Sequence, residues 1–169
     1  MEVYEAVRTV LAVREFKSKP VSNNAVHRIV ESARLTASSK NGQPWNFIVV
    51  ETRKTLEKLD SLVSSGSYNE QAAFAVVVAI EKSSPFGISD ASRAIQSMIL
   101  TAWSEGIGSN WTGWIGMTAV ASLLSIPENL DVVAVVPFGY PTEVRLNGKK
   151  QRKQLSEVAH QERFGRPFS

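Results

Sequence analysis

Ala37-Ser38-Ser39-Lys40-Asn41-Gly42-Gln43-Pro44-Trp45-Asn46-Phe47 runs directly into the apolar Ile48-Val49-Val50. Hydroxyls, carboxamides, a Gly and a Pro crowd into one short stretch, and the polarity then stops at once. The change marks Phe47 to Val50 as a short buried strand. The polar stretch before it has two readings. It is a solvated turn capped by its own side chains, or a rim of donors and acceptors suited to the edge of a flat polar ligand.

On the N-terminal side, Val3, Ala6, Val7, Val10 and Leu11 recur at helical spacing and predict a helix over 2–11. Arg14-Glu15-Phe16 leaves it extended, and Pro20 blocks a return to helix. Ser22 or Asn23 caps the next helix, whose inner face is Val26, Ile29, Val30 and Ala33, with His27 off that face.

On the C-terminal side, Thr52 caps a helix through Val63 that carries Leu56, Leu59, Leu62 and Val63 inward, and Ser64-Ser65-Gly66-Ser67 ends it. Phe74 to Ile80 is apolar on both faces, which predicts the centre of a covered sheet. Ser89 or Asp90 caps the longest helix, about 91–105, and Gly106 supplies a left-handed end. The segment Gly106-Ile107-Gly108-Ser109-Asn110-Trp111-Thr112-Gly113-Trp114 sets three glycines among aromatics, so that a backbone there can approach something closely. Thr118 caps a short helix ending at Leu124, and Val132 to Val136 is a third strand. No crossover carries a Gly-x-Gly-x-x-Gly phosphate turn, which argues against a Rossmann site. The pattern predicts one α+β domain over 1–169, with helices on both faces of a single sheet.

Composition narrows the chemistry. The chain is 43% hydrophobic and 21% charged, as in soluble globular proteins, and no apolar stretch approaches membrane-spanning length. With no signal-peptide pattern at Met1-Glu2-Val3-Tyr4-Glu5, a cytoplasmic protein is expected. Zero cysteines exclude thiolate metal sites, and two histidines, His27 and His160, leave little for an imidazole site. Neither histidine has a nucleophile motif beside it, so hydrolysis is not expected and no catalytic side chain is assigned. Arg145, Lys149, Lys150, Arg152, Lys153, Arg163 and Arg166 make the end of the chain basic. That tail has no stacking aromatics at its basic centre, which argues against nucleic acid as a partner. An enzyme with this inventory has to borrow its reactive atom from an organic cofactor.

Four segments stand in order: Ala37-Ser38-Ser39-x-Asn41-x-Gln43-Pro44-Trp45; Gly106-Ile107-Gly108-Ser109 with Thr112-Gly113; Pro137-x-Gly139-Tyr140-Pro141; and Lys150-x-Arg152. Together they resemble the FMN-dependent nitroreductase family, in a short, single-domain form and over nearly the entire chain. The resemblance implies an α+β, three-layer α/β/α fold around a central mixed, mainly antiparallel sheet. It also implies an interlocked homodimer in which the segment about 145–169 reaches the partner subunit. The cofactor implied is FMN, with NADH or NADPH as co-substrate. Hydride would pass through flavin N5 to a nitroaromatic, quinone or similar small acceptor by a ping-pong mechanism.

Carried over by position, Ser38, Ser39 and Asn41 correspond to residues that reach the flavin and its ribityl chain from the partner. Asn69 resembles the asparagine near the pyrimidine edge, and Arg14 the cation near the N1–O2 edge. Thr112 and Gly113 match the pair whose backbone faces N5, and Lys150 and Arg152 the two cations on the phosphate. Spaced by two in an extended tail, those cations project to one side, as a dianion favours; read without the family they are a solvated tail. Val10, Leu11 and Ala12 depart from the family, which usually has arginine and serine phosphate ligands there. Weaker FMN retention is expected, and Arg8, offset by two helical residues from Val10, points elsewhere. The departure also leaves open a non-catalytic or degenerate dimer that binds a flavin or deazaflavin for sensing or storage. Trp111 and Trp114 either line a pocket over the flavin or fill a dimer core.

Overall fold

A computed structural model describes residues 1–63, 68–113, 117–143 and 150–168. The strand expected at the centre is there: β2, Phe74–Glu81, is buried along its whole length except at Glu81. It pairs antiparallel with β1, Trp45–Val50, on one side and with β4, Leu130–Gly139, on the other. A two-residue strand, β3, Gly108–Ser109, closes the order β1-β2-β4-β3. Every pairing of these four strands is antiparallel. The mixed character comes from an isolated parallel bridge between Ala12 and Ser109, at the edge beyond β3.

Alternation along β2 sorts the core into two halves, because successive side chains in a strand face opposite ways. Phe74, Val76, Val78 and Ile80 meet α2, Asn23–Arg34, and α4, Gly87–Ser104, through Ile29, Ala33, Ile95 and Met98. Ala75, Val77 and Ala79 meet α3, Arg53–Leu62, and α5, Thr118–Leu123, through Leu56, Leu59 and Val120. Helices therefore cover both faces, and the chain has the expected three-layer α+β architecture. Phe74 and Phe138 stack across β2 and β4 with ring centroids 4.9 Å apart. Each such side chain contributes about 1.5–3 kcal/mol when buried. Two short helices flank the layers, α1, Val3–Thr9, and α6, Leu155–Val158. Among the described residues, no helix is long and apolar enough to cross a membrane.

Two of the four helices given an expected capping residue start behind it. Ser22 caps α2, its hydroxyl accepting the Ala25 N–H at 3.3 Å. Thr52 precedes α3, although its hydroxyl pairs with that of Thr55 at 2.8 Å. Thr118 is the first residue of α5 rather than its cap, and the long helix begins at Gly87 after Phe86 rather than behind Ser89 or Asp90. Its first turn presses on β2 so closely that a Cβ on Gly87 would lie 2.8 Å from Ile80 Cδ1. Glycine admits that contact, and the helix extends down to it. Ser89 instead donates to the Phe86 carbonyl at 3.0 Å, and Asp90 turns inward. At the other end Gly106 takes φ +76, the left-handed stop expected of it. Helix α1 ends at Thr9, short of the expected Leu11, because Val10 adopts ψ 131 and the chain leaves to reach Ser109. The expected helix end at Ser64-Ser65-Gly66-Ser67 lies outside the described residues.

Candidate functional site

The polar stretch is a folded turn rather than an open loop. After Ser38 a single 3-10 turn, Ser39–Asn41, leads through Gln43 into β1. Lys40, Asn41 and Gln43 all have positive φ, near 50°, where residues other than glycine are uncommon. The two serine hydroxyls are engaged inside the chain: Ser38 Oγ accepts the Gln43 N–H at 3.0 Å, and Ser39 Oγ donates to Asp90 at 3.0 Å. Asn41 remains exposed.

Thr112 is buried against β4. Its N–H donates to the Val135 carbonyl at 2.8 Å, its hydroxyl donates to the same carbonyl at 2.8 Å, and its own carbonyl accepts the Val135 N–H at 2.9 Å. Of the expected pair, Thr112 is thus an anchor whose N–H is already spent. Gly113 follows at φ +80, and a Cβ there would collide with the Met117 thioether. The backbone angle favours glycine at this position, and any side chain there would also have to displace the end of Met117. Trp111 is 42% exposed and borders a cleft of about 220 Å³ with Val10, Leu11, Ala12, Gln96, Ile99 and Asn110. Of the roles open to it, this chain by itself supplies the cleft wall; Trp114 lies outside the described residues. Arg14 lines a neighbouring cavity of about 330 Å³ with Leu11, Ala12, Glu15, Trp103 and Thr142.

Asn69 is fully buried, held by its N–H donating to Asp60 Oδ1 at 2.8 Å. Its side-chain Nδ2 and Oδ1 have no hydrogen-bond partner among the described residues. A buried unpaired amide costs roughly 1–3 kcal/mol, so an orphan of this kind calls for an explanation. A polar ligand edge is one that fits.

The C-terminal cations gather against α1. Lys150 is half-buried and donates to the Val7 carbonyl at 2.7 Å. Burial first, and then the nearby charges of Arg152 and Arg8, hold its ammonium below the usual lysine range. Arg152 is exposed, and its guanidinium donates to the Gln151 carbonyl at 2.8 Å. Arg8 adds to the positive field at Lys150, and α1 ends one residue after it, at Thr9, so its direction relative to Val10 is not set by a helical offset. Arg8 also pairs with Glu5 at 2.8 Å on the solvent side. Like charges this close repel, and a dianion among them would relieve the repulsion. By their chemistry the cations suit a phosphate and the orphaned Asn69 amide a polar ring edge, the groups found at the two ends of FMN.

The two parts of the site are far apart within one chain. Ser39 contacts α4 at Asp90, whereas α1 is pinned to α4 by Trp103 Nε1 donating to Thr9 Oγ1 at 2.9 Å. Asp90 and Trp103 are thirteen positions apart on one helix, a span of about 20 Å. The polar turn and α1, which Lys150 contacts, are therefore anchored near opposite ends of α4.

The layers and the glycine segment define a three-layer α+β protein with two neighbouring clefts walled by Leu11 and Ala12. Comparison with known proteins gives the class a name. The model of the Nitroreductase family matches residues 8–87 and 70–140. A protein of Methanothermobacter thermautotrophicus, provisionally named an NADH dehydrogenase/NAD(P)H nitroreductase, is 33% identical over 151 residues, covering 85% of this chain and 79% of its own length. An Archaeoglobus fulgidus protein of the same provisional name is 33% identical over 151 residues, covering 84% of this chain and 87% of its own. Among solved structures, a Parabacteroides distasonis protein so named superposes with a TM-score of 0.85 at 25% identity, over 94% of this chain and 96% of that one. An FMN-dependent nitroreductase of Clostridium difficile shares the fold with a TM-score of 0.86 at 24% identity, over 95% and 99%. The chain belongs to the nitroreductase family, which places it among oxidoreductases.

Sequence reasoning took Asp90 for a helix cap, set Arg8 aside and did not weigh Met117. Asp90 had a signal, since an acid standing on the same helical stripe as Ala94 and Met98 is out of place unless it has buried work to do.

Proposed function

We propose that this chain is an FMN-dependent NAD(P)H oxidoreductase of nitroreductase type, acting as a homodimer of one nitroreductase-like domain over 1–169. FMN, when bound, supplies the hydride-accepting and hydride-donating chemistry that couples NADH or NADPH to a nitroaromatic, quinone or similar small acceptor in ping-pong order. Lys150 and Arg152, joined by Arg8, hold the phosphate. Asn69 meets a polar ring edge, and Arg14 places positive charge near the pyrimidine side. Thr112 fixes Gly113 against β4, so that the backbone under the ring is rigid. Ser38, Ser39 and Asn41 come from the partner subunit. The observation that carries the reading is the half-buried Lys150 ammonium held on the Val7 carbonyl at 2.7 Å, with Arg152 two residues on and Arg8 one residue from Val7, a cluster of positive charge that favours an anion beside it.

Two further observations support the dimer. The turn and α1, which Lys150 contacts, are anchored near opposite ends of α4, as suits a ligand shared between two copies. Val3 and Tyr4 are each 75% exposed and Phe164 is 92% exposed, apolar surface that a partner would cover. The segment about 145–169 is proposed to lie on that partner.

The test is a titration of the purified chain with FMN, desalting, and anaerobic addition of NADH or NADPH. Retained yellow colour that bleaches with either nicotinamide is the expected result. A colourless protein, with no bleaching in excess FMN, ends the proposal. The apolar Val10, Leu11 and Ala12 in the cleft wall favour one alternative, a dimer that stores or senses flavin. Tight flavin binding with negligible turnover on nitroaromatics and quinones would select it.

A further inference from the structure

Asp90 lies in the first turn of α4 with 1% of its surface exposed. Its carboxylate accepts the Ser39 N–H at 3.2 and 3.1 Å, the Ser39 hydroxyl at 3.0 Å and the Arg93 guanidinium. Arg93 reaches across the same corner, donating to Ser39 Oγ at 3.2 Å and to the Ser89 carbonyl at 3.4 Å. Arg93 is half exposed, so the buried acid has its counter-charge on the solvent side and its acceptors on the turn.

The turn held in this way is one that L-residues resist. Lys40, Asn41 and Gln43 sit at φ 54, 54 and 48, while Gly42, the residue best suited to such angles, sits at φ −71. Conformations of that kind persist only where their surroundings over-determine them. Within the turn, Asn41 N–H donates to the Ser38 carbonyl at 3.1 Å and Gly42 N–H to the Ser39 carbonyl at 3.0 Å. The contacts that tie the turn to the rest of the protein at Ser39 run to Asp90 and Arg93.

We propose that Asp90 is a positioning residue. By fixing Ser39 from within its own subunit, it holds residues 38–43 in the left-handed turn and so presents Asn41 to the cofactor. The proposal rests on the FMN reading above, in which this turn lines the ligand. An asparagine at position 90 cannot do the same work. It keeps one acceptor oxygen, sets an NH2 group where a second acceptor stood, and leaves Arg93 without its charge partner.

Asp90→Asn and Arg93→Gln are compared with the unaltered chain by two measurements. Trypsin cuts after the exposed Lys40 when the turn opens, so release of the fragment ending at Lys40 under native conditions reads the lock with no cofactor present. FMN titration by flavin fluorescence reads the presentation. Asp90→Asn is expected to speed that cleavage about fivefold or more and to raise the FMN Kd about tenfold, with smaller changes in the same sense for Arg93→Gln. Ile95→Val loosens the core without touching the turn and should leave cleavage at Lys40 within about twofold. Unchanged cleavage in both variants overturns the proposal, as does faster cleavage with an unchanged FMN Kd. Should Asp90→Asn fail to fold, Arg93→Gln decides by the same two readouts. An unaltered chain that binds no FMN sinks the cofactor reading, and cleavage at Lys40 still decides whether Asp90 locks the turn.

Discussion

The turn at 38–43 and the tail at 150–168 are both polar, both on the surface and both assigned to the same ligand, yet they are held in opposite ways. The turn is tied to a buried carboxylate of its own chain and adopts angles that no isolated peptide would keep. The tail lies outside the layers, with Leu155, Val158, Phe164 and Phe168 each more than half exposed. One proposed half of the site is thus preorganised by the fold, and the other carries apolar side chains that the described residues leave exposed. In the proposed dimer, the first half is set by the chain itself and the second waits on a partner.

The difference can be broken most severely at the tail. Phe164→Ser with Phe168→Ser is expected to weaken the proposed dimer by about a hundredfold or more, since each buried phenyl ring contributes about 1.5–3 kcal/mol. Sedimentation over a dilution series measures this, and an unchanged association constant would take the tail out of the interface. Fluorescence titration is the next test. Lys150→Ala with Arg152→Ala should raise the FMN Kd by at least about tenfold, because losing even one charge-assisted hydrogen bond costs about 1.5–3 kcal/mol. Riboflavin, which lacks the phosphate, should lose less than about twofold by the same reasoning. Equal losses for the two ligands would mean that the cations do not touch the phosphate.

The smallest effect concerns the cost of holding Lys150 charged. Its folded pKa lies below the ordinary 10.5, so between those two values the unfolded chain binds more protons than the folded one. Stability contributed by this group therefore rises with pH through that window, and at neutral pH the charged ammonium is a liability. Lys150→Met, which keeps the stem and removes the charge, should slightly raise the melting temperature of the cofactor-free chain at pH 7 and lower that of the FMN-saturated one. A fall in both would show that the Val7 contact, rather than charge repulsion, governs this position.

Much of the frame was legible because local chemistry and tertiary demand agree there. Ser22 caps α2 as its hydroxyl suggests, β2 is buried on both faces as its unbroken apolar run suggests, and Gly106 ends α4 at φ +76. The misjudged boundaries share one cause. Val10 and Leu11 continue the helical spacing of α1, but their apolar side chains serve a cleft wall rather than a helix face. Strand β4 runs to Gly139 through Pro137, beyond the expected Val136, because its partners β2 and β3 continue the pairing. Ser89 and Asp90 look like a cap, yet the helix began earlier and the acid was required elsewhere. The site residues were legible as residue types in order; their geometry was not. Thr112 looked like a backbone donor and is an anchor, and Arg8 was set aside on a helical offset that ends at Thr9.

The sequence by itself determined the elements, the two-faced central strand and the family, since these depend on periodicity, capping chemistry and motif order along the chain. Only the tertiary structure decided that Asp90 binds a turn fifty-one residues away, that the buried Asn69 side chain has no partner among the described residues, and that the turn and α1 are anchored near opposite ends of α4. Those facts depend on distances between residues far apart in sequence, and such distances are set by how the layers pack rather than by any local preference.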